Sequence, residues 1–254
     1  MERRLTKDLA KVPAVTLGFW IIKILATTLG ETGGDTLSMT YDFGYLASSA
    51  IFVVPLVLLV AAQIRATQFH PALYWATIIA STTAGTTVAD FATRSLGIGY
   101  AGGTALLLAC VLGSLLAWRL TLGTIAVESV GSTRSELFYW VTITFSQTLG
   151  TALGDWAADD GGLGYLGGAL VFGGLLLVLA GLWRFTSASR VGLFWVAFIL
   201  TRPLGATVGD FLDKPLDHGG LDLSRPIASA VLVVAIAALI ALLPQRAGAH
   251  PKSA

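Results

Sequence analysis

The sequence predicts an all-α integral membrane protein of eight transmembrane helices, arranged as four pseudo-symmetric, parallel two-helix repeats. Three observations carry that prediction. Of 254 residues, 55% are hydrophobic and only 12% are charged, whereas a soluble domain carries about 25% charged residues. The apolar residues fall into eight blocks, over 13–33, 45–64, 73–92, 98–118, 137–156, 163–183, 191–211 and 226–244. Each block is near the roughly 20 residues that a helix needs to cross a bilayer. One pattern also returns four times: a tryptophan, a glycine ten residues later and an aspartate fifteen residues later.

The elements follow in order. Arg3, Arg4, Lys7 and Lys11 precede the first block, which gives it the look of a secretory signal peptide. It reads instead as a span, because Phe19-Trp20 opens a register that recurs at Tyr74-Trp75, Tyr139-Trp140 and Phe194-Trp195. The glycines of that register are Gly30, Gly85, Gly150 and Gly205, and its aspartates are Asp35, Asp90, Asp155 and Asp210. In the first three repeats Gly44-Tyr45, Gly99-Tyr100 and Gly164-Tyr165 open the second helix, while repeat four inserts Leu212–Ser224.

Runs such as Leu106–Ala117 and Ala228–Leu243 are apolar on every face, unlike the alternating strands of a β-barrel. Glycines in the outer halves of the even helices (Gly102, Gly103, Gly167, Gly168, Gly173, Gly174) suit close helix packing in lipid. Cys110 has no partner in the sequence and reads as a packing residue. The chain is a single membrane domain over 1–254, with repeats near 13–65, 70–119, 135–185 and 190–245.

Charge placement sets the orientation. Eight spans put eleven Lys/Arg on the side of the termini (Arg3, Arg4, Lys7, Lys11, Arg65, Arg119, Arg134, Arg184, Arg190, Arg246, Lys252) and three opposite (Arg94, Lys214, Arg225). The positive-inside rule then places both termini in the cytoplasm. Of the acids, only Glu2, Asp8, Glu128 and Glu136 share that side, so the outer end is acidic and attracts cations. The repeat tryptophans, with Trp118-Arg119 and Trp183-Arg184, read as interfacial anchors. Fifteen helical residues rise about 22 Å, which puts each aspartate toward the outer surface.

Positions eight, eleven, twelve and fifteen beyond each tryptophan share a helical face. They read Thr28, Glu31, Thr32, Asp35; Thr83, Thr86, Thr87, Asp90; Thr148, Thr151, Ala152, Asp155; and Pro203, Ala206, Thr207, Asp210. Ionisable residues at membrane depth mark ion or proton paths, and oxygen-only ligands select hard ions. Lys23 and Arg202, the two cations within spans, read as modulating charges, and Arg202 reads equally as half of a static ion pair. Asp213, Asp217, His218 and Asp222 of the insertion read as a solvated loop or as a second, peripheral cation site. Each aspartate also has a purely structural reading, as a turn or cap residue.

The four Trp-x9-Gly-x4-Asp registers resemble a bacterial multi-pass family made of four tandem two-span repeats, each bearing a tryptophan, of unknown function. The resemblance covers roughly 13–245 and implies the fold, not an activity. Glu31-Thr32-Gly33-Gly34-Asp35-Thr36 is also loosely similar to the Glu-x-Gly-Asp-Lys-Thr motif of cation/proton exchangers, with one extra residue and no lysine.

These readings lead to transport of a hard cation such as Mn²⁺, Mg²⁺ or Ca²⁺, with proton coupling left open. Glu31, Asp35, Asp90, Asp155 and Asp210 are the metal ligands, and Thr32, Thr87 and Thr207 are auxiliary ligands. The alternative is a cation-binding or sensory membrane protein without transport. An enzyme is not expected, since no nucleophile, cofactor or metal-ligand histidine motif accompanies the carboxylates. The expected partners are the bilayer and a small inorganic cation, with no nucleic acid and no covalent cofactor; a homo-oligomer stays open.

Overall fold

The computed structural model describes residues 9–249. Arg3, Arg4, Lys7 and Lys252, counted above for orientation, lie outside the described residues, as do Glu2 and Asp8. Eight long helices follow the eight apolar blocks: α1 (Leu17–Asp35), α2 (Gly44–Arg65), α3 (Pro71–Asp90), α4 (Gly99–Leu122), α5 (Thr133–Asp155), α6 (Gly164–Phe185), α7 (Arg190–Asp213) and α8 (Arg225–Leu242).

Local chemistry sets their ends. The Thr16 side chain caps α1 through the Phe19 amide, Ser132 and Ser135 form a capping box on α5, and Pro71 opens α3, each meeting the unsatisfied amides of a first turn. Arg65, Arg119 and Arg184 stand in the last turns of α2, α4 and α6, where a cation complements the helix dipole. After the aspartates of repeats one to three the chain widens into one π-helical turn (Thr36–Thr40, Phe91–Ser95, Trp156–Asp160). Gly44, Gly99 and Gly164 then start the next helix at φ 71°, 73° and 65°. Nothing lies within 4 Å of where their Cβ atoms would be, so left-handed φ, and not crowding, requires glycine there.

The helices form two concentric layers. The odd helices close an inner ring in which α1 packs on α3, α3 on α5, α5 on α7, and α7 back on α1. The even helices lie outside, each against the inner helix of the next repeat: α2 on α3, α4 on α5, α6 on α7, and α8 on α1. A repeat in sequence is therefore not a packing unit, because each repeat is completed by its successor and the fourth by the first. The repeat glycines make this closure. A Cβ at Gly30 would collide with Thr82, one at Gly150 with Arg202 and one at Gly205 with Thr27, and one at Gly85 would stand 3.0 Å from the Gln147 backbone. In every case the neighbour lies seven residues beyond the next repeat's tryptophan.

Of the outer-helix glycines expected to permit close approach, Gly103 does so against Thr93 and Gly168 against Thr207. Gly102 and Gly167 meet only Ile98 and Leu163, the residues just before their own helices, Gly173 only brushes Leu204, and Gly174 faces open space.

Five helices are long and apolar enough to cross a membrane, namely α2, α4, α6, α7 and α8. The others, α1, α3 and α5, carry most of their polar residues buried within the bundle. The outer helices turn leucine, isoleucine and valine outward, with Leu106, Leu120, Leu170, Leu177, Val231 and Val234 all exposed. An apolar surface of this kind fits a multi-pass membrane protein in contact with lipid.

The tryptophans correct one expectation. Trp75, Trp140 and Trp195 are not at a lipid interface but buried, in a layer where each preceding aromatic meets the next repeat's indole. The ring-to-ring distances are 5.5 Å for Phe19–Trp75, 5.7 Å for Tyr74–Trp140, 6.3 Å for Tyr139–Trp195 and 5.7 Å for Phe194–Trp20. Such pairs add about 0.5–1.5 kcal/mol each beyond their buried area, so the layer belongs to the packing of the ring. Trp118 is likewise buried against Trp195, while Trp183 is exposed as expected of an anchor.

A small cap closes the same end, adding two short strands to the all-α fold. β1 (Leu9–Pro13) pairs antiparallel with β2 (Ala247–Ala249), which brings the two ends of the described chain together. Lys11 bonds through its amide to the Val130 carbonyl (2.9 Å) and through its ammonium to Glu136 (2.6 Å).

Candidate functional site

Along each inner helix, residues three, seven, eleven, fifteen and nineteen beyond the tryptophan succeed one another at four-residue steps, the spacing of side-chain neighbours on a helix. At fifteen stands aspartate in every repeat, at the junction of helix and π-turn in the first three. At nineteen the repeats differ: Met39, Arg94, Asp159 and Lys214.

Two of these residues organise the aspartates. Arg94 lies between neighbouring repeats, with Nε 3.1 Å from Asp90 Oδ1 and Nη2 donating to Asp155 Oδ2 at 3.1 Å. Lys214 does the same across the closing seam, with Nζ donating to Asp35 Oδ2 at 2.6 Å and standing 2.9 Å from Asp210 Oδ1. All four aspartates are almost fully buried. Four unneutralised carboxylates at one level would repel strongly in a low dielectric, and the two cations divide them into two pairs, each held by one shared positive charge.

Lys214 sits just past the end of α7. Burial works against its charged form, but the carboxylates of Asp210, Asp35 and Asp213 together outweigh burial and raise its pKa well above the usual lysine value. Asp213, expected in a peripheral loop site, joins this cluster instead, 3.4 Å from Arg225. Asp217 and His218 are exposed and 3.9 Å apart, and Asp222 is exposed at a left-handed turn.

One turn deeper, the guanidinium of Arg202 spans the ring. Its Nη2 donates to Glu31 Oε2 of α1 (3.0 Å), Thr86 Oγ1 of α3 (2.6 Å) and Thr151 Oγ1 of α5 (2.5 Å). A group on α7 that reaches one residue from each of the other three inner helices lies at the middle of the ring. Gly150 makes room for its stem, and α7 stays helical through Pro203.

Deeper still is Lys23, fully buried, its ammonium 3.4 Å from Gln147 Oε1 and from Thr201 Oγ1, and 4.2 Å above the Phe198 ring. The aromatic layer closes the ring below it.

The structure thus gathers Glu31, Asp35 and Asp210, each with a carboxylate oxygen within 4.8 Å of the others. Asp35 Oδ1 is buried and accepts no hydrogen bond, and Asp210 Oδ1 has the Lys214 ammonium 2.9 Å away. Asp90 and Asp155 are held apart on Arg94. Of the two modulating charges, Arg202 pairs with Glu31 and Lys23 touches no carboxylate among the described residues.

The three threonines expected as auxiliary ligands turn elsewhere. Thr32 accepts from Ser229 of α8 (2.9 Å), Thr87 bonds back to the Ala84 carbonyl (3.2 Å), and Thr207 bonds back to the Pro203 carbonyl (2.9 Å) while packing under Gly168 of α6. The inward hydroxyls are those at eleven, Thr86 and Thr151. Sequence reasoning missed Arg94 and Lys214, although both stand four residues past an aspartate, where a helical continuation returns to the same face.

Comparison with protein families places four consecutive copies of DUF347, Repeat of Unknown Function, on residues 18–69, 73–124, 138–189 and 193–245. The chain belongs to this family. No curated protein and no solved structure matches it.

Proposed function

We propose that the protein crosses a bacterial inner membrane eight times with both termini in the cytoplasm, and that it binds and transports a hard divalent cation through Glu31, Asp35 and Asp210. The observation that carries this reading is the convergence of three buried carboxylates from two neighbouring helices, with oxygens within 4.8 Å of one another. Carboxylate oxygens at such spacing suit Mg²⁺, Mn²⁺ or Ca²⁺. Burial in a bilayer of carboxylates that serve no function is costly.

The neighbouring cations give the reading a mechanism. An incoming ion takes the place of the Lys214 ammonium between Asp35 and Asp210 and draws Glu31 from Arg202. Release reverses both exchanges, so Asp35 and Asp210 face a cation in each state, either the metal or the protein's own lysine. Transport then proceeds by exchange at a closed site and not through an open pore, because Arg202 and the aromatic layer lie across the ring. The test is uptake of Mn²⁺, Mg²⁺ and Ca²⁺ into proteoliposomes. Asp35→Asn and Asp210→Asn are expected to lower uptake of the transported ion at least tenfold, and unaltered uptake in both variants removes the proposal.

The same closure favours one second reading, a cation-binding or sensory protein without flux. It predicts saturable divalent binding that the two variants weaken, with no uptake by the wild type.

A further inference from the structure

The layer beneath the Arg202 guanidinium has the opposite chemistry to the aspartate layer. Lys23 is fully buried and has no carboxylate within salt-bridge distance among the described residues. Its two hydrogen bonds, both 3.4 Å, are at the long limit for such contacts, and its remaining neighbour is the face of Phe198. Arg202 uses only Nη2 on Glu31, Thr86 and Thr151, and its Nε and Nη1 are buried without an acceptor. The Gln147 amide nitrogen and the Thr82 hydroxyl are also buried without partners. These four residues come one from each inner helix. Thr82, Gln147 and Arg202 share the position seven residues beyond the tryptophan, and Lys23 lies one turn deeper. What they leave over is donors: an ammonium, two guanidinium nitrogens, an amide and a hydroxyl.

The charges are unequal in the same sense. Lys23 and Arg202 face a single acid, Glu31, and the other acids of the ring are engaged by Arg94, Lys214 and Arg225 on the far side of the guanidinium. A buried cation without a counter-charge is strongly unfavourable. Buried donors without acceptors call for a bound water or ion to account for them.

We propose that this layer is an anion site, in which one small monovalent anion of the halide class binds between Lys23 and Arg202, with the Gln147 amide as a further donor. A protonated Lys23 leaves one positive charge in excess of Glu31, which sets the valence. A spherical anion suits the set because it accepts from any direction, whereas the donors come from three different helices without the planar, paired geometry that a carboxylate or phosphate selects. This site is separate from the carboxylate cluster and does not depend on cation transport.

The test uses the full chain in lipid nanodiscs with EDTA throughout, so that divalent ions play no part. Thermal unfolding is followed across sodium chloride and sodium bromide, against sodium gluconate at matched ionic strength. A ligand that binds the folded state raises the midpoint saturably, and a rise of at least about 3 °C is expected in chloride and in bromide. Lys23→Met and Lys23→Gln are expected to lose that rise. Equal midpoints of the wild type in chloride and gluconate overturn the proposal, and then water or an uncharged Lys23 accounts for the layer. A halide-dependent rise retained in full by both Lys23 variants also overturns it, since the anion then binds elsewhere.

Discussion

Replacing Lys214 by methionine tests the central device of the site, because it removes the ammonium and keeps the apolar stem. The wild-type lysine is 2.6 Å from Asp35 and 2.9 Å from Asp210, both almost fully buried. Removing one partner of a buried ion pair costs about 3–5 kcal/mol, since the other charge is left uncompensated. Arg225 stays 3.4 Å from Asp213 and 3.9 Å from Asp35, so the loss falls most heavily on Asp210 and in part on Asp35. For a chain of this length each kcal/mol lowers the unfolding midpoint by about 2–4 °C, and Lys214→Met in EDTA is expected to unfold about 10 °C below the wild type.

The variant also presents Glu31, Asp35 and Asp210 without their resident cation. A divalent ion at about one hundred times its dissociation constant returns about 2.7 kcal/mol, so Mn²⁺ or Ca²⁺ restores most of the lost midpoint. The wild type gains less from the same ion, which must first displace the ammonium. Thermal unfolding in nanodiscs across a divalent titration measures both effects. The reasoning is refuted if Lys214→Met is as stable as the wild type in EDTA, or if no divalent ion raises its midpoint more than that of the wild type.

Further outcomes follow from the packing of the helices. Arg94→Met strands Asp90 and Asp155, which lie 3.1 Å from it, and should cost about 3 kcal/mol. Asp90→Asn in that background should recover part of the loss by removing one stranded charge, measured by the same unfolding experiment. Gly205→Ala puts a Cβ 2.7 Å from the Thr27 backbone carbon at the seam that closes the ring, and overpacking of this kind costs about 1–3 kcal/mol. Gly113→Ala on an outer helix meets open space and should gain about 0.5–1 kcal/mol.

The eight helices and the level of the aspartates were legible because lipid imposes span length and the repeat fixes register; no local propensity had to be judged. The inward face was not legible. Threonines at eight, eleven and twelve look alike in sequence, but a buried threonine satisfies itself on its own helix's carbonyl, as Thr28 and Thr83 do. Polarity therefore does not tell the axis of the ring from the seam with an outer helix. Arg94 and Lys214 read as loop cations when the helix ends near the aspartate. A π-turn carries the chain on past Asp90, and Lys214 directly follows α7, whose last residue is Asp213. The tryptophans read as interfacial because an amphipathic ring suits that place in isolation. Only the closed ring, with each indole against an aromatic of the preceding repeat, supplies a better one.

The fourfold repeat and the twofold charge pattern divide the work between them. Tryptophan, glycine and aspartate recur in every repeat, and the first two build a ring that has no ends. A ring carrying the aspartate four times over would hold four like charges at one level. The nineteenth position breaks that symmetry, placing a cation in repeats two and four but not in one and three. Because each such cation spans two repeats, two of them contact all four aspartates. Glu31, present only in repeat one, then adds a third carboxylate to one pair and not to the other, so the candidate cation site falls at the seam of α1 and α7. Arg202 in repeat four neutralises that added acid from across the same seam. The functional asymmetry is thus concentrated where the last repeat meets the first, the one junction at which the two neighbouring repeats are not consecutive in sequence.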